Sequence, residues 1–206
     1  RKIQQAAAEL SELAGKGGAV TDLLALVERM KPLGAGGKAS PQRRPSEFLL
    51  VEPGHTSSLL GNRYLNRGDG LIISGPSGAG KSSMQTQMAA CWALGKDFHG
   101  IKSAAPLRSL IIQSEDSDGD IAEAWASLSH VLALTPLQKT ELDERVRIVT
   151  DRVNRGRAFI SALKKHADEF KPDLIWINPL QAFIDGDVTF GKDLGQFLRE
   201  GLNGLN

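Results

Sequence analysis

The chain is poor in the residues that would tie it to an oxidising compartment, a membrane or a nucleic-acid coat. Its 206 residues include one cysteine, Cys91, so no internal disulfide can form and a reducing cytoplasm is the expected setting. No apolar run approaches the roughly 20 residues that cross a bilayer, so no membrane partner is expected. Aromatic residues make up 5% of the chain, too few to show a row of base-stacking platforms. Lys plus Arg number 25 against 24 Asp plus Glu, a net charge of +1, so any nucleic-acid binding would need a local basic patch. An initiating Met is lacking, and Arg1-Lys2-Ile3-Gln4 leads into an alanine-rich stretch rather than a secretion-signal core. The expectation is a piece excised from a longer protein. What is present, 41% hydrophobic and 24% charged residues, is the make-up of a globular domain.

Against this plain background one segment stands out. Gly75-Pro76-Ser77-Gly78-Ala79-Gly80-Lys81-Ser82 matches the phosphate-binding pattern G-x-x-x-x-G-K-[ST]. Leu71-Ile72-Ile73-Ser74 before it predicts a buried strand. Lys81 to Leu94 after it predicts a helix with Met84, Met88 and Cys91 on one face. A strand, a glycine-rich turn and a helix N-terminus together aim backbone N–H groups at a phosphate. Lys81 can reach the β- and γ-phosphates, the Ser82 hydroxyl can ligate Mg²⁺, and Ser83 continues the cradle. ATP and Mg²⁺ are therefore the expected ligands.

The rest of the chain alternates. Residues 1–30 predict a short helical segment, Ile3 to Ala14 and Val20 to Met30, split by Gly15-Lys16-Gly17-Gly18. Residues 31–46 are rich in Pro, Gly and basic residues without an acid, the composition of a linker, though its cations could also touch a phosphate backbone. Residues 47–206 form the expected folded domain. Its further strands are predicted at Leu110–Gln113, Val146–Val149 and Leu174–Ile177. Helices are expected at Asp120–Leu132, opened by a capping box of Asp120 with Glu123, at Gly156–Phe170, capped by Asn154, and at Asp193–Leu205. Strands alternating with helices imply an α/β fold, a mostly parallel sheet with helices on both faces. A further strand would be expected beyond Asn206.

Two strand ends can carry chemistry, because open α/β sheets bind ligands at the C-terminal ends of their strands. Glu115, straight after the second strand, is the candidate base for an attacking water; Asp116 is its neighbour, and both could instead favour the next helix's dipole. Asn178 ends the fourth strand, where a metal-orienting acid is expected, and could hold Mg²⁺ only through a water. Asp185 and Asp187 could supply charge or belong to a solvated loop. The run Glu115-Asp116-Ser117-Asp118 does not meet the calcium-loop spacing, since Gly119 falls one place early. His55, His99, His130 and His166 share no ligand spacing, and Trp92, Trp125 and Trp176 fall in core-like positions. Arg152, Arg155 and Arg157 form a basic turn that could be solvated or could meet a phosphate.

In sum, residues Phe48 to Asn206 resemble the RecA-like ATPases, most nearly the RepA-type plasmid and phage replicative helicases related to DnaB. The resemblance is carried by Tyr64-Leu65-Asn66-Arg67-Gly68-Asp69-Gly70 before the phosphate loop and by Gly95-Lys96-Asp97-Phe98-His99-Gly100. Leu110-Ile111-Ile112-Gln113-Ser114-Glu115-Asp116, Pro172 to Leu180 and Ile184-Asp185-Gly186-Asp187 complete it. It implies ATP binding by Lys81 and Ser82, water activation by Glu115, a homo-oligomeric ring with hexamers among the open sizes, and single-stranded DNA in a central channel. Asn178 departs from the family's Asp. The competing functions are a nucleotide-switched assembly module with slow turnover and, less well supported, a small-molecule kinase using Glu115-Asp116 to accept a hydroxyl proton.

Overall fold

The computed structural model describes residues 42–48, 57–61, 63–186, 195 and 197–198. The expected helices of residues 1–30 and most of the linker lie outside these residues, as do His55, Asp187 and nearly all of Asp193–Leu205. The chain divides into two units, Arg1–Leu50 and Val51–Asn206. In the first, Pro45–Glu47 is a 3-10 turn, with the Glu47 carboxylate accepting from the Arg44 N–H at 3.0 Å.

The second unit holds a three-stranded parallel sheet. Its strands are β3 (Ser109–Gln113), β4 (Val146–Thr150) and β5 (Leu174–Asn178), in the order β4-β3-β5. Gln113 stands opposite Thr150 on one side and Asn178 on the other. β3 is buried along its whole length, as a continuous Leu-Ile-Ile run between covered faces requires. The pleat divides it. Ile111, with Val146, Ile148 and Trp176, packs against helix α1 (Lys81–Ala93), α2 (Asp118–Val131) and α3 (Pro136–Arg145). Leu110 and Ile112, with Val149, Ile175 and Ile177, pack against α4 (Gly156–Phe170) and the 3-10 turn Leu180–Phe183. Phe159 stacks on Phe183 at 4.2 Å between ring centres and on Phe197 at 6.0 Å. The α/β arrangement with both faces covered is the one expected.

A short antiparallel hairpin, β1 (Ser58–Leu60) with β2 (Leu65–Asn66), precedes the sheet; the sequence reading did not anticipate it. Leu59 and Leu60 join Met88, Trp92, Leu107 and Leu174 in a third cluster. Arg67 pairs with Asp173 at 2.8 Å, tying the hairpin to the approach of β5. Within α1, Met88 to Ala93 are all buried, because the helix lies between two clusters rather than presenting one stripe. Met84, expected on the apolar face, is instead exposed. Burial raises the Cys91 thiol above its ordinary pKa, which leaves it a packing residue.

Three local expectations are corrected. Leu71–Ser74 is not a strand: Leu71 and Ile72 are 61% and 63% exposed, and only Ile73 packs, against the cluster that holds Leu174 and Trp176. A strand needs a ladder, and among the described residues β5 pairs with β3 alone. The cap of α2 is Ser117, whose hydroxyl accepts from the Asp120 N–H, while Asp120 reaches back to the Ser117 N–H at 3.0 Å. The box thus sits three residues before the expected pair, with Ser117 as the cap and Asp120 at the third helical position. At α4 the N-cap is Arg155 without a side-chain bond, and Asn154 turns back to Asp151. Helix α3 was not foreseen either, although Thr135-Pro136-Leu137-Gln138 is a capping box with proline at the first helical position.

Candidate functional site

The phosphate loop rises from exposed backbone into the N-terminus of α1. Gly80 caps the helix at φ 82° and Gly78 stands at φ 77°, both in the left-handed region that a β-carbon would strain. Gly75 to Gly80 are exposed, as a cradle open to a ligand must be, and Ser82 and Ser83 sit exposed in the helix's first turn. The first turn of α1 has no acidic residue and no side-chain cap, so its N–H groups keep their dipole for an incoming anion. The Lys81 ammonium folds back over the loop, donating to the Gly75 carbonyl at 3.0 Å and the Pro76 carbonyl at 2.8 Å. The Ala79 N–H closes the turn onto the Pro76 carbonyl at 3.4 Å.

Asn178 reaches this loop from the end of β5. Its amide donates to the Ser82 hydroxyl at 3.0 Å across 96 residues of sequence. An amide used in this way keeps its carbonyl oxygen free to accept from a metal-bound water. The sequence placed these two residues on one Mg²⁺; the structure places them in contact.

Glu115 is exposed, two residues beyond Gln113 on the strand next to β5. Among the described residues it has no hydrogen-bond or ion-pair partner, which leaves its carboxylate available. The backbone beneath it is held firmly. The Asp116 N–H donates to the buried Gln113 side-chain oxygen at 3.3 Å, and the Asp116 carbonyl accepts from Arg152 at 2.8 Å. The peptide groups of Asp116 thus anchor the loop that carries Glu115. Gln113 also donates to Thr150 at 3.4 Å, and its carbonyl accepts from the Asp151 N–H at 2.8 Å.

The Asp151 carboxylate in turn gathers the N–H groups of Val153 and Asn154 and the Asn154 amide at 3.0–3.1 Å. Desolvation pushes its pKa up, but the bonds from Asn154 and Val153 and the nearby His166 outweigh it and hold the carboxyl below the usual range. Sequence reasoning missed Gln113 and the use made of Arg152. The available signal was a glutamine ending an apolar strand, since a polar side chain buried there must find partners.

Asp185 lies against the N-terminus of α4, close enough to Gly156 that a β-carbon there would meet its carboxylate. Trp92 and Trp176 are core residues, stacked at 6.0 Å, with indole N–H groups bonded to the Ile101 carbonyl and the Ser109 hydroxyl. Trp125 is half-buried and lines an open groove of about 330 Å³ between α2, α3 and β4. Among the described residues no three His, Cys, Asp or Glu side chains gather as a metal centre, and no helix is long and apolar enough to cross a membrane.

No curated protein and no solved structure matches the chain significantly. The sequence pattern of the AAA domain, a branch of the P-loop NTPases, matches residues 38–203. That match spans the phosphate loop, the strand ends near Glu115 and Asn178 and most of the chain, and the parallel sheet covered by helices agrees with it. The chain belongs to the AAA-domain family and is an ATP-binding P-loop ATPase domain of RecA-like α/β fold.

Proposed function

We propose that the domain binds ATP with Mg²⁺ at the Gly75–Ser83 loop and hydrolyses it with Glu115 as the base, within a DNA-processing motor of the replicative-helicase type. The observation that carries the nucleotide reading is the convergence of the uncapped α1 N-terminus, Lys81 and the 3.0 Å contact of Asn178 with Ser82. Phosphate oxygens would replace the two loop carbonyls now bound by Lys81, exchanging neutral acceptors for charged ones.

The residues present fit Mg²⁺. Ser82 and Asn178 offer hard neutral oxygens rather than an acidic cage, which suits an ion that keeps its waters and takes its charge partners from the phosphates. Ser82 would ligate it directly and Asn178 through water; when bound, the ion neutralises charge on the phosphate oxygens. Glu115 orients and deprotonates the water that attacks the terminal phosphate. The DNA role, the ring-shaped homo-oligomer and the single-stranded DNA channel rest on the sequence resemblance.

A second reading, a nucleotide-switched assembly module with slow turnover, is favoured by Asn178, whose amide brings no negative charge to the ion. Steady-state ATP hydrolysis by the full chain, with and without single-stranded DNA, separates the two. DNA-stimulated turnover lost in Glu115→Gln supports the motor. ATP binding without turnover, with hydrolysis gained in Asn178→Asp, supports the switch. Turnover unchanged in Glu115→Gln would remove Glu115 as the base.

A further inference from the structure

The loop that carries Glu115 is restrained by side chains rather than by a ladder, and those side chains come from β3 and the end of β4. Gln113, 3% exposed, accepts from the Asp116 N–H and is itself fixed by Thr150 at 3.4 Å. Arg152 donates to the Asp116 carbonyl at 2.8 Å. These two bonds take hold of the peptide groups on either side of Asp116, and the first of them is the peptide that joins it to Glu115. Arg152 is launched from a four-residue turn closed by the Asp151 carboxylate onto Val153 and Asn154. Neither Gln113 nor Arg152 touches the phosphate loop among the described contacts.

We propose that Arg152 and Gln113 are positioning residues for Glu115, tethering its backbone to the end of β4 so that its carboxylate meets the attacking water in one geometry. The inference rests on the reading of Glu115 as the base. A glutamate at the head of an exposed loop has freedom that a base cannot use, because misplacing a reacting group by about 1 Å can cost on the order of 100-fold in rate. A charged donor on a backbone carbonyl is the stronger kind of hydrogen bond, and Arg152 makes it from the neighbouring strand end. The tether also sets Arg152 apart from Arg155 and Arg157 in the basic turn: its guanidinium donates to this loop.

The test is a double-mutant cycle in the full chain, reading kcat, ATP affinity by titration with a fluorescent ATP analogue, and thermal unfolding. Arg152→Ala is expected to lower kcat about 10- to 100-fold while ATP affinity stays within about twofold. The side chain is exposed, so the melting temperature should move little. Arg152→Lys, which still offers one donor to one carbonyl, should recover part of the loss. In a Glu115→Gln background, Arg152→Ala should cost less than about threefold more, since residues acting as one unit are non-additive.

Full additivity of Arg152→Ala with Glu115→Gln, or an unchanged kcat in Arg152→Ala, overturns the tether and leaves Glu115 as the base. A parent protein whose turnover does not depend on Glu115 overturns the base and the tether together.

Discussion

The tripeptide Leu-Ile-Ile occurs twice, at residues 71–73 and 110–112, with opposite fates. At 110–112 it is the centre of β3, bonded on both sides, with Leu110 and Ile112 each 1% exposed. At 71–73 it leads into the phosphate loop, with Leu71 and Ile72 more than three-fifths exposed. The residues are the same, so the difference lies in what flanks them. The copy at 110–112 is followed by Gln113, which bonds Thr150 and thereby locks to β4. The copy at 71–73 sits between Gly68-Asp69-Gly70 and the glycine loop, where the backbone has least to hold it. Apolar composition sets the drive to bury, but a strand buries its side chains only once a ladder satisfies its N–H and C=O groups. The two halves of the site inherit this contrast. Glu115 stands on the ladder-bonded side, while the phosphate loop is joined to the sheet through Asn178 and the packing of α1.

The sharpest break of the comparison is to shorten one isoleucine in each copy, the most buried of one and the most exposed of the other. Ile112→Ala removes a fully packed side chain between Leu110, Phe159 and Leu163 and should destabilise the fold by about 2–5 kcal/mol. Ile72→Ala, at 63% exposure, should fall within about 0.5 kcal/mol of the parent. Urea unfolding of the two variants reads the difference directly. Equal losses would show that Leu71–Ser74 is buried in solution, as the sequence alone suggests.

Next in size is a test on the looser side. Lys81→Ala removes the charged donor that now sits on the Gly75 and Pro76 carbonyls. ATP affinity should fall about 100-fold, since charge-assisted bonds to phosphate are worth roughly 1.5–3 kcal/mol each. The unfolding midpoint without nucleotide should barely move, because the lysine's present bonds are exposed ones. Calorimetric titration and a thermal melt check both halves. Unchanged ATP affinity would sink the phosphate-loop assignment.

The same contrast explains how much could be read before the fold was known. The alternation of strands and helices, the loop motif and the positions of Glu115 and Asn178 at strand ends were legible, because each is a local pattern tied to period or spacing. Leu71–Ser74 was misread because its state depends on a ladder partner far away in sequence. The α2 cap was misread by three residues, since Ser117 and Asp120 both suit a first turn and the pattern does not rank them. Helix α3 carried a readable capping box at Thr135–Gln138, but its mean hydropathy is low and it buries Leu142 alone. The Gln113–Asp116–Arg152 tether was invisible for a different reason. It joins side chains of one strand and the loop of another to a backbone N–H and a backbone carbonyl, which leave no mark in sequence.

The smallest expected effect concerns the charge that closes the turn behind Arg152. Asp151 is held below its ordinary pKa by the Asn154 and Val153 donors and by His166 against an opposing desolvation. A carboxyl depressed in the folded state adds stability above the unfolded value, about 3.9, and loses it as pH falls through the folded value. The loss through the Asp151 carboxyl is therefore confined to solution more acid than about pH 4. Asp120 is held low as well, first by the Ser117 hydroxyl and then by its N–H, so acid weakens the parent protein through more than one group. The difference between the parent and Asp151→Asn isolates the turn. That gap in melting temperature should persist above about pH 5 and shrink progressively below about pH 4, where the unfolded chain's carboxyl takes up its proton first. A gap that stays the same down to pH 3 would mean that shape, not charge, closes the turn. The restraint on the Glu115 side would then rest on Arg152 and Gln113 without support from the Asp151 carboxylate.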